Sequence, residues 1–296
     1  MKSNHQASGA KRVSVNGISL AYQEWPGERG PLICLPNIAG HKGSFAPLAQ
    51  KLSPDYRVLA LDLRGRGDSS KPKDGYGFAY HARDVLAFAD ALQLESFSLL
   101  GHSFGATASV YIGSIRPDRV RSVVLMDGGA DPKTETLRMM YHTINQLEKV
   151  YTSMDEYVEA QRSVSYYKPW TVALENYLRE DVETLANGSV RSKSSPGALE
   201  HDLDVHFMYS MCLHFPNLHC PTLFLRPLEG LAGKSGHVYS DVEASNIARY
   251  IPNCRRANVH GGNHYTMLIQ DNPPVLPFID EFLDLVLKKT VAERAI

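Results

Sequence analysis

The feature that most constrains the fold is a serine set between two glycines, where an apolar segment meets a helical one. Residues 97–100 form the short apolar run typical of a buried strand, and residues 107–115 follow the pattern of a helix. Between them, Gly101 and Gly105 flank Ser103 in the spacing G-x-S-x-G, which predicts a turn so tight that a Cβ atom at either glycine would clash. A hydroxyl lifted clear of a sheet suits a nucleophile, although the same spacing also occurs in inert glycine turns. We therefore predict a strand, a sharp turn and a helix, with a reactive serine at the apex.

Short apolar runs alternate with helical patterns through much of the chain. Residues 12–22 form two alternating runs joined by Asn16-Gly17, which predicts a hairpin. Buried strands are predicted at residues 32–35, 57–62, 97–100, 120–126 and 221–226, a weak last strand at 256–259 and a closing helix at 275–287. Strands that alternate with helices indicate a mainly parallel sheet with helices on both faces. The polar residues 1–12 are predicted to form a loose arm.

The alternation breaks between residues 133 and 218. This stretch contains no strand-like apolar run, follows helical patterns and is rich in tyrosine and methionine. The simpler interpretation is that these side chains form the buried faces of ordinary helices. We favour a helical cap over the reactive face, in which some of the aromatic side chains line a substrate pocket. Within it, residues 187–195 are predicted to form a polar turn.

Composition and charge argue against several classes of function. The 296 residues carry a formal net charge of −1, which gives no electrostatic reason to expect nucleic acid or an anionic membrane as a partner. Met1 to Arg12 lacks an apolar signal segment, and no apolar stretch approaches the roughly 20 residues that span a bilayer. Four cysteines without a C-x-x-C pair predict free, mostly buried thiols in a reducing cytoplasm. The twelve histidines show no metal-binding spacing, so we expect no metal or other cofactor, and a monomer or homodimer.

Five short motifs stand at the ends of the predicted strands. They are Leu35-Pro36-Asn37, Asp62-Leu63-Arg64-Gly65-Arg66-Gly67-Asp68-Ser69, Gly101-His102-Ser103-Phe104-Gly105, Asp127-Gly128-Gly129 and Gly261-Gly262-Asn263-His264. In this order they resemble the α/β-hydrolase superfamily, over about residues 12–290. The resemblance implies an α/β fold with a mainly parallel eight-stranded sheet flanked by helices and a helical cap inserted after the sixth strand. Residues 1–132 and 219–296 would form the core domain, and residues 133–218 the cap.

By position, the resemblance implies that Ser103 is the nucleophile and His264 the general base. His264 lies in a glycine-rich loop near the C-terminus, whereas His260 sits at a strand end and His41 is expected to be solvated at the mouth of the pocket. The base must take the Ser103 proton as the hydroxyl attacks and later give it to the leaving group.

The implied oxyanion hole uses the backbone N–H groups of Phe104 and Ile38. The chain departs from the family here, because Pro36-Asn37 replaces the usual His-Gly. A proline has no N–H to donate. The expected donor is Ile38, two positions after Pro36, so an oxyanion hole can still form. The candidate pocket residues are Asn37, His102, Tyr141, Trp170 and Tyr265. His102 is kept among them, but we favour a structural role for it, because adjacent residues at a turn point apart.

The sequence leaves two candidates for the acid that orients His264. The commonest position in the fold, after the seventh strand, contains Glu229 about one residue out of register and no aspartate. Some relatives place the acid after the sixth strand, where this chain has Asp127 beside two glycines. We favour Asp127 and keep Glu229 as the alternative.

The resemblance implies a serine hydrolase that cleaves a carboxylic ester or lactone of a moderately apolar small molecule through an acyl-enzyme intermediate. A serine at the turn argues against haloalkane dehalogenase chemistry, which needs a carboxylate nucleophile. The alternatives are a small-molecule receptor on the same fold with little turnover, and a hydrolase of C–C or amide bonds, because the fold alone does not determine the substrate.

Overall fold

The fold is built on one large sheet. The computed structural model describes residues 9–231, 233 and 235–294. Its strands are β1 (Lys11–Val15), β2 (Ile18–Trp25), β3 (Arg29–Leu35), β4 (Tyr56–Leu61), β5 (Phe97–His102), β6 (Val120–Met126), β7 (Val182–Thr184), β8 (Val190–Ser192), β9 (Thr222–Pro227) and β10 (Cys254–Val259). Eight of them form a sheet in the order β1-β2-β4-β3-β5-β6-β9-β10, in which only the pairs β1–β2 and β2–β4 are antiparallel. The predicted mainly parallel, eight-stranded sheet is confirmed, while the predicted arm at residues 1–12 lies largely outside the described residues.

The N-terminal hairpin forms as predicted. β1 and β2 pair antiparallel, with Val15 opposite Ile18. Asn16 and Gly17 connect them with φ values of 50° and 78°. Positive φ at both central residues is what a two-residue turn needs to match the twist of its strands, and Asn-Gly adopts it at little cost.

Helices cover both faces of the sheet. In chain order, the helices of the protein are α1 (Ala46–Leu52), α2 (Phe78–Ala91), α3 (Phe104–Ile115), α4 (Thr134–Gln146), α5 (Met154–Arg162), α6 (Val172–Asp181), α7 (Pro196–Met208), α8 (Asp241–Tyr250) and α9 (Leu276–Arg294). Alternate residues of β3 belong to two apolar cores. Ile33 and Leu35 pack in the core that contains α2 and α3, and Leu32 and Cys34 in the core that contains α1 and α9. A strand buried on both faces has no polar side, which explains its continuous apolar sequence.

The segment between β6 and β9, which we call the insertion (residues 133–218), supplies no strand to the large sheet. It contains α4 to α7 and also the small hairpin β7–β8, in which Val182 pairs with Ser192 and Thr184 with Val190. The expectation of a purely helical segment is therefore wrong, because the predicted turn at residues 187–195 contains β8. Strands of three residues are too short to produce a readable alternation of apolar and polar residues.

One carboxylate holds the insertion to the rest of the chain. Asp202, on α7, is fully buried, and its Oδ2 lies 2.6 Å from Arg66 Nη1. Its Oδ1 accepts a hydrogen bond of 2.6 Å from the Gly77 N–H and lies 2.9 Å from His81 Nε2. Burial alone would raise the pKa of Asp202, but the interactions with His81 and Arg66 hold it far below its usual value. The carboxylate therefore stays ionised and ties α7 to the loop after β4 and to the start of α2.

His41 makes a second contact between core and insertion. It is buried rather than solvated, which corrects the prediction. Its Nε2 donates to the Tyr177 carbonyl at 2.9 Å, its Nδ1 accepts from the Gly43 N–H at 3.1 Å, and its ring stacks on the Tyr177 ring at 4.4 Å. Burial lowers the pKa of His41 to about 4. The ring is therefore neutral and joins the loop after β3 to α6.

Composition led to expectations about the cysteines and about membrane-spanning segments. The cysteines are free thiols, but only Cys34 is buried and Cys212 is exposed, so the prediction of mostly buried thiols is wrong. Among the described residues, no helix combines the length and the apolar character that crossing a bilayer requires.

A buried histidine on α7 lacks hydrogen-bond partners. Neither ring nitrogen of His206 has a partner among the described residues, and its ring packs edge-on against Phe78, with 5.0 Å between the centroids. Burial lowers the pKa of His206 from 6.5 to about 4. The unfolded chain binds a proton at this residue below about pH 6.5, whereas the folded chain resists it until about pH 4. His206 therefore lowers stability progressively as the pH falls through this window.

We expect His206→Leu to flatten the acid side of the pH–stability profile. A pKa difference between 6.5 and about 4 corresponds to about 3 kcal/mol of unfolding free energy lost across the window. Urea unfolding at several pH values measures it, with the exposed His219 replaced by leucine as the control. If the His206→Leu protein loses stability with pH as steeply as the original, the histidine is not the cause.

Candidate active site

Ser103 occupies a strained turn between β5 and α3. Its backbone has φ 54° and ψ −116°, a conformation that non-glycine residues rarely adopt and that marks functional sites. A Cβ on Gly101 would overlap the start of α3, and one on Gly105 would overlap the Leu35 carbonyl. A Cβ on Gly128, beside Asp127, would overlap the Ser103 backbone. These glycines are required because three segments of backbone meet around the serine.

His264 and Asp127 are in direct contact. His264 Nδ1 lies 2.7 Å from Asp127 Oδ2, and both side chains are buried. An ionised carboxylate can only accept, so Nδ1 carries the proton of this bond and Nε2 of the neutral ring is left as an acceptor. This is the tautomer that a general base needs.

Glu229, the alternative acid, lies apart from this pair. It is exposed in the loop after β9, whereas Asp127 follows directly on β6. β6 lies next to β5 in the sheet, so Asp127 and Ser103 leave neighbouring parallel strands at the same edge. Asp127 is thus the carboxylate that contacts His264, and the position that the sequence argument favoured.

His102 supports the histidine loop and does not face the pocket. It is fully buried, and its Nε2 donates to the His264 carbonyl at 2.8 Å. Burial, and to a smaller extent the neighbouring His264, lowers the pKa of His102 well below 6.5, so the ring is neutral. The prediction that His102 lines the pocket is corrected, because adjacent residues at the turn point in opposite directions.

Asn263 shapes the loop that carries His264. Its Oδ1 accepts from the N–H groups of Tyr265 and Thr266, each at 3.0 Å, and its Nδ2 donates to the Tyr166 carbonyl at 2.9 Å. The sequence analysis gave Asn263 no role. An asparagine after two glycines is a signal for such a side-chain-to-backbone turn and could have identified it.

The two predicted oxyanion residues lie on either side of the serine turn. Phe104 is the first residue of α3, so its N–H has no acceptor within the helix. The Ile38 N–H has no hydrogen-bond partner among the described residues, and Ile38 lines the same cavity as Ser103. The side chain of Arg66 connects them, because its Nε donates to the Ile38 carbonyl at 2.7 Å and its guanidinium lies 5.1 Å from the centre of the Phe104 ring.

A cavity of about 570 Å³ opens onto Ser103 and His264. Both residues line it, with no hydrogen bond between their side chains among the described residues. Among the predicted pocket residues, Asn37 and Tyr265 line the cavity. Much of the remaining wall comes from the insertion, notably from tyrosines.

Two other predicted pocket residues lie elsewhere. Tyr141 donates to Asp204 Oδ1 at 3.1 Å on the exposed side of α4. Trp170 donates to Glu175 Oε2 at 3.1 Å, and the Arg162 guanidinium lies 4.7 Å from its ring. Both are amphipathic rings with charged surface partners, a preference that helical spacing does not reveal.

No group of three potential metal ligands is found within the described residues.

Comparison with known proteins agrees with this geometry. The family model of the alpha/beta hydrolase fold matches residues 30–200. A serine hydrolase-like protein of Danio rerio is 36% identical over 125 residues, which are 41% of this chain and 38% of that protein, so the match spans well under half of that relative. The 2-(acetamidomethylene)succinate hydrolase of Mesorhizobium japonicum is 26% identical over 276 residues, 93% of this chain and 95% of that protein.

A solved structure extends the likeness to the whole fold. The crystal structure of E-2-(acetamidomethylene)succinate hydrolase superimposes with a TM-score of 0.81 at 24% identity, covering 93% of this chain and 98% of that one. With the family match over residues 30–200, the sheet order and the serine turn, the chain belongs to the α/β-hydrolase family.

Proposed function

We propose that this protein is a serine hydrolase that cleaves an ester or lactone bond of a small molecule. The observation that carries the proposal is the 2.7 Å contact between His264 Nδ1 and Asp127 Oδ2, beside a serine held at positive φ. All three groups belong to one edge of the sheet, and Ser103 and His264 share a cavity large enough for a small substrate.

In the proposed reaction, the Ser103 hydroxyl attacks the substrate carbonyl while His264 Nε2 takes its proton. Asp127 stabilises the imidazolium that forms. The carbonyl oxygen becomes negatively charged and accepts hydrogen bonds from the N–H groups of Phe104 and Ile38. Collapse of this intermediate breaks the bond to the leaving group, which receives the proton from His264. Water then attacks the acyl-serine by the same steps and releases the acid.

We propose further that residues 133–218 act as a cap over this site. The insertion supplies cavity residues from α4, α5 and α6, whereas the core supplies Ser103, Ile38 and His264. A cavity enclosed between the two parts excludes water from the reacting groups and selects the substrate by shape.

An amide bond is the second candidate for the scissile bond. The relative from Mesorhizobium japonicum, matched over 93% of this chain, carries an acetamido group in the name of its substrate. The described lining residues include no arginine to bind carboxylates, and they include the carboxyl group of Asp181.

We expect a fluorophosphonate to label Ser103 and the protein to hydrolyse p-nitrophenyl acetate. Ser103→Ala should abolish labelling and lower kcat by a factor on the order of 10³ or more, because it removes the nucleophile. Mass spectrometry of the labelled peptide and initial rates provide the measurements. Labelling without turnover would support a receptor, and a label on another residue would contradict the proposed nucleophile.

Asp127→Asn and Glu229→Gln, compared side by side, test the acid. Asn at position 127 reverses the proton preference at His264 Nδ1, so kcat should fall by about 10⁴. Glu229 is exposed and away from His264, so its replacement should leave kcat within about twofold. Hydrolysis of p-nitrophenyl acetate measures kcat for both variants. A large loss of kcat in Glu229→Gln, together with normal kcat in Asp127→Asn, would reverse the assignment.

Arg66→Lys tests whether Arg66 positions the Ile38 N–H in the proposed oxyanion hole. Lysine keeps the charge that Asp202 needs but loses the donor to the Ile38 carbonyl, so kcat should fall about 10- to 100-fold with little change in KM. Arg64→Lys is the matched control, because Arg64 is equally buried and binds Asp84 instead. Thermal unfolding should show similar losses of stability in both variants. Equal kcat values in both would mean that Arg66 has no positioning role.

A further inference from the structure

We propose that the cavity binds a substrate with a cationic group, and that Asp181 is the residue that selects this group. The inference rests on the proposed function, because Asp181 lines the same cavity as Ser103. It names a class of substrate, such as a quaternary ammonium or protonated amine, that the catalytic residues do not specify.

The carboxyl group of Asp181 has few partners of its own. It ends α6, inside the insertion. Its Oδ2 accepts two long hydrogen bonds, of 3.4 Å each, from the hydroxyls of Tyr157 and Ser192. Its Oδ1 is enclosed and has no partner among the described residues. A carboxylate held this weakly favours an added positive charge or proton.

The lysines near the cavity do not neutralise it. Lys193 follows β8, but its ammonium bonds Asp68 at 2.9 Å. Lys149 lines the exposed part of the cavity, where its ammonium lies 4.6 Å from the centre of the Tyr151 ring. Among the described lining residues, Asp181 is the one carboxyl group, and arginine is absent. The negative charge of the Asp181 carboxylate therefore favours the binding of a positively charged ligand in the cavity.

Tyrosines line the cavity beside Asp181, because Tyr157 donates to its Oδ2 and Tyr177 lies one turn earlier on α6. Tyr157, Tyr167 and Tyr177 all line it, together with Asp181. Burial and their neighbours raise the pKa of all three phenols above the usual value, so the rings stay neutral. Neutral tyrosine faces attract a desolvated cation, most strongly a quaternary ammonium. A carboxylate bordered by tyrosines therefore favours a positively charged ligand group over an apolar one.

The ionisation of Asp181 links this binding to pH. Burial raises the pKa of Asp181 to about 7, an effect to which Asp62 adds and which Tyr157, Lys193 and Ser192 oppose. Tyr177, on α6, is a further titratable neighbour and stays neutral. A cation binds the ionised form, so its affinity should increase as the pH rises from 6 to 8.

Choline and 3,3-dimethylbutan-1-ol form a matched pair of probes, because they have nearly the same shape and only choline is charged. We expect choline to inhibit p-nitrophenyl acetate hydrolysis at least about 10-fold more strongly at pH 8, and this preference to shrink at pH 6. Calorimetry of the wild-type protein measures the two affinities without turnover. Asp181→Asn keeps the shape and should remove the preference, whereas Glu183→Gln, on the exposed face of β7, should retain it.

The outcomes separate the two proposals. Equal affinity for both probes, or a choline preference that survives in Asp181→Asn, overturns the cation site while leaving the hydrolase proposal intact. Absence of p-nitrophenyl acetate turnover together with a calorimetric preference for choline overturns the hydrolase proposal and supports the cation site.

Discussion

The ion pair between Arg66 and Asp202 is the interaction on which the rest of the structure depends. Both side chains are fully buried, and buried charges are tolerated only when they are paired and hydrogen-bonded. Asp202 satisfies this with Arg66, His81 and the Gly77 N–H. Arg66 satisfies it with Asp202 and with the carbonyls of Arg64 and Ile38. The insertion, the loop after β4 and the loop after β3 must therefore come together for any of these charges to be stable.

The same contacts position the segments beside the proposed catalytic residues. The loop after β3 carries the Ile38 N–H, and the guanidinium of Arg66 also lies over the ring of Phe104. Ser103 and Asp127 leave the carboxyl ends of the neighbouring strands β5 and β6, and His264 comes from the loop beyond β10. The sheet fixes the first two positions, and buried hydrogen bonds to His102 and Asn263 hold the third loop in place.

Asp127 and Asp181 show how environment gives two buried carboxyl groups different properties. Asp127 has a partner in His264 at 2.7 Å, which suits an acid that orients a base. In the described part of the chain, the Asp181 carboxyl group accepts only from two hydroxyls, at 3.4 Å each, and burial raises its pKa to about 7. The same functional group can therefore stabilise a charge that forms during the reaction, or attract a charge that the substrate brings.

The sequence patterns alone determined the mainly parallel sheet, the N-terminal hairpin and the place of Ser103, whereas the number of eight strands came from the resemblance to the α/β-hydrolase superfamily. These features follow from local rules: strands buried on both faces have continuous apolar sequences, Asn16-Gly17 favours a two-residue turn, and Gly101 and Gly105 leave room for crossing backbones. The tertiary structure decided which carboxylate meets His264 and which aromatic rings face the cavity. It also placed His41 in the interior, joined Arg66 to Asp202 and to the Ile38 carbonyl, and placed Asp181 in the cavity wall. Each of these depends on contacts between residues far apart in the sequence, such as Asp127 and His264, which are separated by 137 positions. Local sequence patterns do not show which distant residues come into contact.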